Sequence, residues 1–140
     1  MNKILLIGEP MELLTAADGN SLSDAVTFRA SVSGAELNTA VGLSRLGLDA
    51  VYFTRLGDDP RAERIRAFIN KNGVDGSHII TDREHQTGAM TRRKNESGRF
   101  DIHYYRQCSA ASFLCENDVD GLDLSEFRAV YFSGIFPSRS

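Results

Sequence analysis

Residues 32–47, with the sequence VSGAELNTAVGLSRLG, combine the start of a predicted helix with side chains suited to binding a small polar ligand. The start of a helix carries unpaired backbone N–H groups and a partial positive charge. Gly34 lets a ligand approach this backbone closely, and Asn38 lies four residues later on the same helical face. Because an amide both donates and accepts hydrogen bonds, the stretch predicts a site for hydroxyl groups. The alternative is a capped helix that tolerates an asparagine.

A second candidate stretch, HYYRQCSAAS at residues 103–112, gathers two tyrosines and an arginine at the end of a predicted strand. Arginine suits a carboxylate because its guanidinium group forms two parallel hydrogen bonds. Strand alternation places Tyr104 and Arg106 on the same face, so the pattern predicts a site for an anion. The alternative is a solvent-facing arginine beside tyrosines of an edge strand. The basic stretch TRRKNESGR (91–99) is either a phosphate-binding patch or the solvated tip of a hairpin.

The sequence argues against several other sites and environments. LLIGEP (residues 5–10) lacks the GxGxxG pattern of dinucleotide-binding folds, and no P-loop pattern occurs. The three scattered histidines and two cysteines predict no metal site and indicate reduced thiols in a cytoplasmic protein. A net charge of −3 argues against nucleic acid or an anionic membrane as a partner, and the apolar runs are too short to cross a bilayer.

Apolar patterning predicts an α/β fold that positions the candidate stretches. KILLIG (3–8) and AVYFTRLG (50–57) are continuous apolar runs typical of buried parallel strands. AVTFRASV (25–32) alternates and predicts a strand with one covered face, and SHIIT (77–81) predicts a further short strand. Residues 10–25 are rich in Ala, Asp, Asn and Ser and predict a loop.

Two helices are predicted between these strands. The first begins at Ser33, where Glu36 three residues later fits a capping box, and it ends at Gly47. The second begins at the pair Asp59 and Pro60, which suit a helix cap and a first helical position. The resulting order of strand, strand, helix, strand, helix, strand is typical of a parallel sheet with one inserted strand.

The second half of the chain departs from this rhythm. TGAMTRRK (87–94) and RFDIHYYR (99–106) flank a short turn and predict a hairpin. DVDGLDLSEF predicts a turn with a short helical segment, and AVYFSGIF (129–136) predicts another core strand. Because such a strand is normally followed by a covering helix, we expect Val130 and Phe132 to keep one face exposed, as in part of a larger fold.

Taken together, these motifs resemble the N-terminal half of the ribokinase-like (PfkB-type) carbohydrate kinases over essentially all 140 residues. The resemblance rests on IGEP, SGAELNTAVGLSRLG, TRLGDD, TGAM, YYRQCSAAS and YFSGI. The family's first signature is an asparagine, a small residue and two spaced glycines. These are matched here by Asn38, Ala40, Gly47 and Gly57. Within the family, the chain is most similar to the 2-keto-3-deoxygluconate kinase branch.

The resemblance implies a fold and a subunit arrangement. Residues 1–140 would form the N-terminal part of a ribokinase-like α/β/α sandwich. Strands near residues 25–33 and 87–106 would form a small β-sheet lid over the sugar site. Lids of two subunits commonly pair in this family, so the resemblance also implies a homodimer.

Substrate contacts are implied in the same way. The stretch from Gly34 to Asn38 would contact the sugar acid, and the Tyr-Tyr-Arg run of the lid would also reach it. Met90 stands where many members have an aromatic residue, so a thioether replaces a phenol there. Ser33 stands where the wider family often has glycine. The full set of implied substrate-binding residues is Gly34, Ala35, Glu36, Leu37, Asn38, Met90, Tyr104, Tyr105 and Arg106.

The implied reaction transfers the γ-phosphoryl group of ATP, with Mg²⁺, to a hydroxyl of 2-keto-3-deoxygluconate, largely by positioning and charge stabilisation. The family's Gly-Ala-Gly-Asp motif supplies the catalytic base and lies in the C-terminal half, with most of the ATP site. We therefore expect no catalytic residue and no metal ligand within these 140 residues. Two alternatives stay open: a fructose-, ribose- or nucleoside-type kinase of the same superfamily, and a non-catalytic sugar-binding fragment.

Overall fold

A computed structural model describes residues 3–134 and contains nine strands and three α-helices within that range. In chain order the elements are β1 (Lys3–Ile7), β2 (Met11–Ala16), β3 (Phe28–Ser33), α1 (Ala35–Arg45), β4 (Asp49–Phe53), β5 (Arg55–Gly57), α2 (Pro60–Lys71), β6 (Ile80–Asp82), β7 (Ala89–Lys94), β8 (Phe100–Tyr105), α3 (Glu116–Val119) and β9 (Phe127–Tyr131). Short 3-10 helices cover Ala110–Phe113 and Leu124–Glu126.

The core is a three-stranded parallel sheet in the order β4-β1-β9, with β1 at its centre. Leu5 and Leu6 of β1 are both fully buried, which explains why this strand is continuously apolar rather than alternating. Leu6 and Tyr52 face α1 and α2, whereas Leu5 and Phe53 face segments from the later part of the chain. These packing faces confirm the predicted strand at 3–8 and both predicted helices.

One predicted strand, AVYFTRLG, is divided in the structure. β4 ends at Phe53, and after Thr54 the chain leaves the core sheet as β5, which pairs with β6 in a separate two-stranded parallel sheet. β6 covers only the last residues of the predicted SHIIT strand and extends to Asp82. The apolar run is unbroken because both strands are buried, so hydropathy does not reveal where the pairing partner changes.

A four-stranded sheet in the order β3-β2-β7-β8 lies beside the core. β2 and β3 pair antiparallel, as do β7 and β8, and the two antiparallel pairs are joined by a parallel pairing of β2 with β7. The strands predicted near 25–33 and 87–106 are therefore present as β3, β7 and β8. We call this unit the four-stranded sheet throughout.

The prediction that residues 10–25 form a loop is wrong for their first part, which is strand β2. Met11 and Leu13 are buried at 7% and 5% exposure and alternate with more exposed positions, as in a strand with one covered face. The Ala-, Asp-, Asn- and Ser-rich composition holds only for residues 16–25. Averaging over the whole segment hid a six-residue strand at its start.

The last described strand, β9, confirms the core strand predicted near the end of the chain, over Phe127–Tyr131. Residues 135 and 136 of that predicted strand lie outside the described residues. Val130 is 46% exposed and Phe132 is 58% exposed, as expected for a strand without a covering helix among the described elements. The short helical segment predicted before it is also present, as α3 and a 3-10 helix.

The start of α2 is fixed by Asp59, which links this helix to the entry of β7. One carboxylate oxygen of Asp59 accepts a hydrogen bond from Ala62 N at 2.9 Å, and the other accepts from Thr87 N at 2.7 Å. Thr87 Oγ1 in turn accepts from Gly57 N at 2.9 Å. Burial raises the pKa of Asp59, but the N–H donors of Thr87 and Ala62 outweigh it and leave this pKa below its usual value.

We predict that Asp59→Ala lowers the free energy of unfolding by about 2 kcal/mol, because it removes a helix cap and leaves Thr87 N unpaired. The neighbouring Asp58→Ala should change it by less than about 0.5 kcal/mol, since the Asp58 side chain is 69% exposed. Because the pKa of Asp59 is lowered by folding, its contribution is complete above about pH 4 and is lost as the pH falls through its folded-state pKa. Urea denaturation of both variants at pH 7 and pH 2 measures this, and an equal effect of the two substitutions at pH 7 would contradict it.

Candidate functional site

The start of α1 lies tightly against the connection between β1 and β2. A Cβ atom at Gly34 would stand 3.2 Å from Pro10 Cα and 3.3 Å from the Glu9 carbonyl oxygen, so only glycine allows this approach without a shift of the backbone. No side chain among the described residues caps this helix. A helix start without a side-chain cap has backbone N–H groups that a ligand could satisfy.

The predicted capping box of Ser33 and Glu36 is wrong. Gly34 occupies the cap position, and the Glu36 carboxylate accepts hydrogen bonds from the backbone N and the hydroxyl of Ser133, beyond β9. Glu36 is only 3% exposed, and a side chain at Gly8 would overlap its carboxylate. The sequence pattern of a capping box is present, but a partner 97 residues away takes the carboxylate.

Burial divides the predicted binding stretch into two parts. Glu36 and Leu37 point inward at 3% and 1% exposure, whereas Ala35 and Asn38 are exposed. The amide side chain of Asn38 is thus open to a ligand, while its backbone N–H is held by the Gly34 carbonyl at 2.9 Å. The structure therefore leaves the Asn38 side chain exposed at the start of α1 and uses Glu36 as an internal link to Ser133.

The predicted contacts from β7 and β8 lie together on the four-stranded sheet. Met90 and Tyr104 are directly opposite in the antiparallel register and so share one face, while Tyr105 pairs with Ala89 and lies on the other. Met90 is 6% exposed and packs with Met11 and Leu13. The two tyrosines are half exposed, at 45% for Tyr104 and 55% for Tyr105.

Arg106 has a partner that sequence reasoning missed. Its Nη2 atom forms an ion pair with Glu9 Oε2, and Glu9 Oε1 accepts a hydrogen bond from Ser109 Oγ at 2.6 Å. Glu9 is 6% exposed, and the space for its carboxylate exists because residue 88 is glycine. The signal available in the sequence was a carboxylate placed directly after a buried strand and a glycine, at the edge where parallel strands end.

Glu9 also connects the two candidate stretches. Its carbonyl oxygen lies against Gly34 at the start of α1, and its carboxylate binds Arg106 at the end of β8. The helix start and the arginine therefore lie on two sides of one residue. A ligand with hydroxyl groups at one end and a carboxylate at the other has matching groups available there.

The buried phenol of Tyr52 is affected by the charges of two carboxylates, Glu36 and Glu9. Burial, followed by the negative charges of Glu36 and Glu9, raises the pKa of Tyr52 well above its usual value. Its hydroxyl has no hydrogen-bond partner among the described residues. The raised pKa favours the neutral phenol of Tyr52.

The basic hairpin is largely occupied with contacts inside the sheet. Arg92 lies over the Phe100 ring at 4.5 Å and donates to Thr15 Oγ1 at 3.1 Å. Arg93 donates to the Gly19 carbonyl at 2.9 Å. These contacts favour a structural role for TRRKNESGR over a phosphate-binding patch.

Other features of residues 3–134 lie apart from this site. No group of three or more His, Cys, Asp or Glu side chains in that range could hold a metal ion. None of its helices is long and apolar enough to cross a membrane. A cavity of about 310 Å³ lies between α2 and residues 74–79, and it shares no residue with the predicted substrate contacts.

Comparison with known proteins identifies the family. The sequence model of the pfkB family carbohydrate kinases matches residues 1–140, and the chain therefore belongs to this family. The chain is similar to 2-dehydro-3-deoxygluconokinase of Bacillus subtilis (strain 168), with 36% identity over 108 residues. This match covers 76% of the chain and 33% of that protein. The resemblance inferred from the motifs is confirmed.

Solved structures give the same fold. A PfkB protein from Polaromonas sp. JS666 superimposes with a TM-score of 0.94 at 34% identity, covering 100% of this chain and 47% of that one. An uncharacterized sugar kinase from Pyrococcus horikoshii, solved in complex with ATP, gives a TM-score of 0.76 at 29% identity and covers 82% and 37%. The fold is thus ribokinase-like, and the chain spans between a third and a half of the length of these relatives.

We predict that Gly88→Ala destabilises the protein by about 1–3 kcal/mol. The new Cβ atom would stand 2.8 Å from Glu9 Oε1 and 3.2 Å from Met11 Cγ, which overpacks the base of the four-stranded sheet. Gly42→Ala is the matched control, because Gly42 lies within α1 with nothing within 4 Å of a Cβ atom there. That substitution should stabilise the protein by about 0.5–1 kcal/mol. Thermal unfolding of both variants measures this, and a stabilising Gly88→Ala would contradict the packing described.

Proposed function

We propose that this chain is the substrate-binding part of an ATP-dependent sugar-acid kinase that phosphorylates a hydroxyl of 2-keto-3-deoxygluconate. The observation that carries the proposal is the position of Glu9 between the open start of α1 and the guanidinium of Arg106. Hydroxyl-binding and carboxylate-binding groups thus lie at opposite ends of one short region. The name of the Bacillus subtilis relative supports this choice of substrate.

Each predicted contact residue has a part in the proposed binding mode. The first N–H groups of α1, from Gly34 to Leu37, and the Asn38 amide bind sugar hydroxyls. Tyr104 contributes its phenol group from the face of the four-stranded sheet that it shares with Met90, and this sheet acts as the lid. Tyr105 lies on the other face and is proposed to reach the substrate around the end of β8. Met90 presents a thioether rather than a hydrogen bond, and it suits a carbon that lacks a hydroxyl group.

Arg106 is the proposed carboxylate-binding residue. Its side chain is 12% exposed, so it lies in a largely desolvated position where a charge-assisted hydrogen bond is strong. Glu36 is proposed to act indirectly, by holding the start of α1 against Ser133.

The ATP and Mg²⁺ site is proposed to lie mostly outside this chain. ATP is the phosphoryl donor of PfkB kinases, and a structural relative has been solved with it. Residues 3–134 contain no cluster of His, Cys, Asp or Glu that could hold a metal ion by itself, and the sequence contains no P-loop. We assign no catalytic residue to these 140 residues. Their part is to bind and orient the sugar and to exclude water from it.

The proposed protein is a cytoplasmic homodimer that pairs through its lids. Phe100, Ile102 and Tyr104 lie on one face of the edge strand β8, and each is about 45% exposed. A second lid would cover Phe100 and Ile102 of this row, and Tyr104, next to the end of β8, would remain with the substrate. The two exposed free cysteines, Cys108 and Cys115, are compatible with a reducing compartment.

A kinase for a neutral sugar, such as a fructose-, ribose- or nucleoside-type kinase, is the second candidate. The ion pair between Arg106 and Glu9 favours it, because the arginine already has a counter-ion and needs none from the ligand. A non-catalytic sugar-binding fragment would bind its ligand without any dependence on ATP. Titration with both an acid and a neutral sugar separates these functions.

We predict that Arg106→Ala, in the protein expressed from its full reading frame, raises the dissociation constant for 2-keto-3-deoxygluconate about ten- to a hundredfold. The loss of a two-pronged charge-assisted contact is the reason. Binding of the neutral analogue with CH₂OH in place of the carboxylate should change much less. Calorimetric titration with both ligands is the measurement.

Two further variants complete this experiment. Arg106→Lys should restore binding only in part, because a point charge does not reproduce the planar fork. Arg99→Ala, which removes an exposed cation from the hairpin, should leave both affinities unchanged. Equal weakening of the acid and the neutral ligand by Arg106→Ala would show that Arg106 only supports the lid.

We also predict that the 140-residue chain alone has no kinase activity, because the Gly-Ala-Gly-Asp motif is absent from it. A coupled assay for ADP with the sugar acid, fructose and ribose measures this. Turnover above a blank without protein would contradict the assignment of catalysis to residues outside the chain.

A further inference from the structure

The carboxylate of Glu9, at the base of the four-stranded sheet, has more partners than a single ion pair between two segments would need. Its carboxylate is bound on one side by Arg106 and on the other by the buried hydroxyl of Ser109. The adjacent position must be Gly88, because a Cβ atom there would stand 2.8 Å from Glu9 Oε1. Residues 106–109 bind this carboxylate, and Gly88 leaves the space that it occupies.

Stability alone is a poor account of this arrangement. Desolvation of a buried ion pair largely offsets its attraction, and well-packed apolar side chains commonly do as well. The pair does have a definite electrostatic consequence. The ion pair of a guanidinium and a carboxylate has a net charge of zero, so it attracts a further anion much less than the guanidinium alone would.

We infer that Glu9 is the internal counter-ion of Arg106 and thereby a specificity-determining positioning residue. It holds the guanidinium in one orientation and cancels most of its charge. A ligand carboxylate then gains hydrogen bonds from the remaining donors of Arg106 but little net charge attraction. The inference rests on the proposed function, since it takes Arg106 as the group that binds the ligand carboxylate.

The consequence for ligands is selection by geometry rather than by charge. Two carboxylates that bind different edges of one planar guanidinium lie on the order of 6 Å apart, so a ligand carboxylate on Arg106 would be repelled by the Glu9 carboxylate. At that separation the repulsion weakens binding about threefold in a water-like medium and about a hundredfold at an effective dielectric constant of 20. An anion that cannot match the fork of Arg106 is rejected, whereas a neutral ligand is unaffected.

The test is Glu9→Gln in the protein expressed from its full reading frame. Glutamine has the same shape; its amide oxygen accepts from Arg106 and its NH₂ group donates to the Ser109 hydroxyl, which can also accept, so both contacts are kept without the negative charge. We expect the dissociation constant for 2-keto-3-deoxygluconate to fall by about three- to a hundredfold in calorimetric titration. The neutral CH₂OH analogue should bind as in the parent protein. Weaker or unchanged binding of the acid overturns the inference.

Two companion variants separate this role from a structural one. Ser109→Ala removes the hydroxyl that donates to Glu9 but keeps the charge, so it should give no gain in acid binding. In the double variant Glu9→Gln with Arg106→Ala, the gain should vanish, because the counter-ion acts only through the arginine. A gain with Ser109→Ala, or a gain that persists without Arg106, contradicts the counter-ion role.

A measurement on the unmodified protein keeps the inference testable if Glu9→Gln does not fold. Between about 20 and 500 mM NaCl, binding of the acid to a neutralised arginine should depend on salt no more than binding of the neutral analogue, whereas attraction to an unpaired cation would make the acid the more salt-dependent ligand. A steeper dependence for the acid overturns the inference. If Arg106→Ala weakens the acid and the neutral ligand equally, the proposed function fails and the inference with it. If Arg106→Ala is acid-selective but the acid is the more salt-dependent ligand of the parent protein, only the inference fails.

Discussion

A buried carboxylate is expensive to remove from water unless it is paired and hydrogen-bonded, and the structure around Glu9 meets that requirement. Arg106 supplies the opposite charge, Ser109 supplies a hydroxyl donor, and Gly88 supplies the space. Glu9 lies where the chain leaves β1 of the core sheet, and Arg106 lies where it leaves β8. Their ion pair therefore links the four-stranded sheet to the core sheet. The approach of Gly34 to the Glu9 carbonyl then places the start of α1 in the same arrangement.

Glu36 solves the same physical problem on the other side of the helix start. Its carboxylate passes over Gly8 and takes hydrogen bonds from Ser133, so one side chain links the start of α1 to the segments that follow β1 and β9. Both glutamates lie at the edge where the parallel strands end, which is where ligands bind in open α/β sheets. Two internal carboxylates, each opposite a glycine, thus fix the groups left open to a ligand. The glycines after β1 and before β7 are explained by this need for space.

The parts of the fold that depend on local pattern were predictable from the sequence. The buried runs at β1 and β4, the apolar faces of α1 and α2, and the hairpin of β7 and β8 all follow from periodicity and turn residues. β2 was missed because its alternation is confined to six residues at the start of a polar segment. Of the candidate site, the exposure of Asn38 was accessible from spacing, whereas the shared face of Met90 and Tyr104 depends on the register of β7 with β8. The partners of Glu36 and Arg106 were not accessible, since each lies 97 residues away and only the folded sheet brings them together.

The parallel pairing of β2 with β7 also has a consequence for the order in which the protein folds. β7 and β8 are joined by residues 95–99, and β2 and β3 by residues 17–27, so both antiparallel pairs close local loops and are expected to form first. Their union joins residues 12–15 to residues 89–92, across the whole of α1, β4 and α2. This contact of high sequence separation must wait until the core sheet and its helices have brought the two hairpins together. The pairing of β2 with β7 is therefore expected to follow the two antiparallel pairs, and the edges of β2 and β7 stay open until that step is complete.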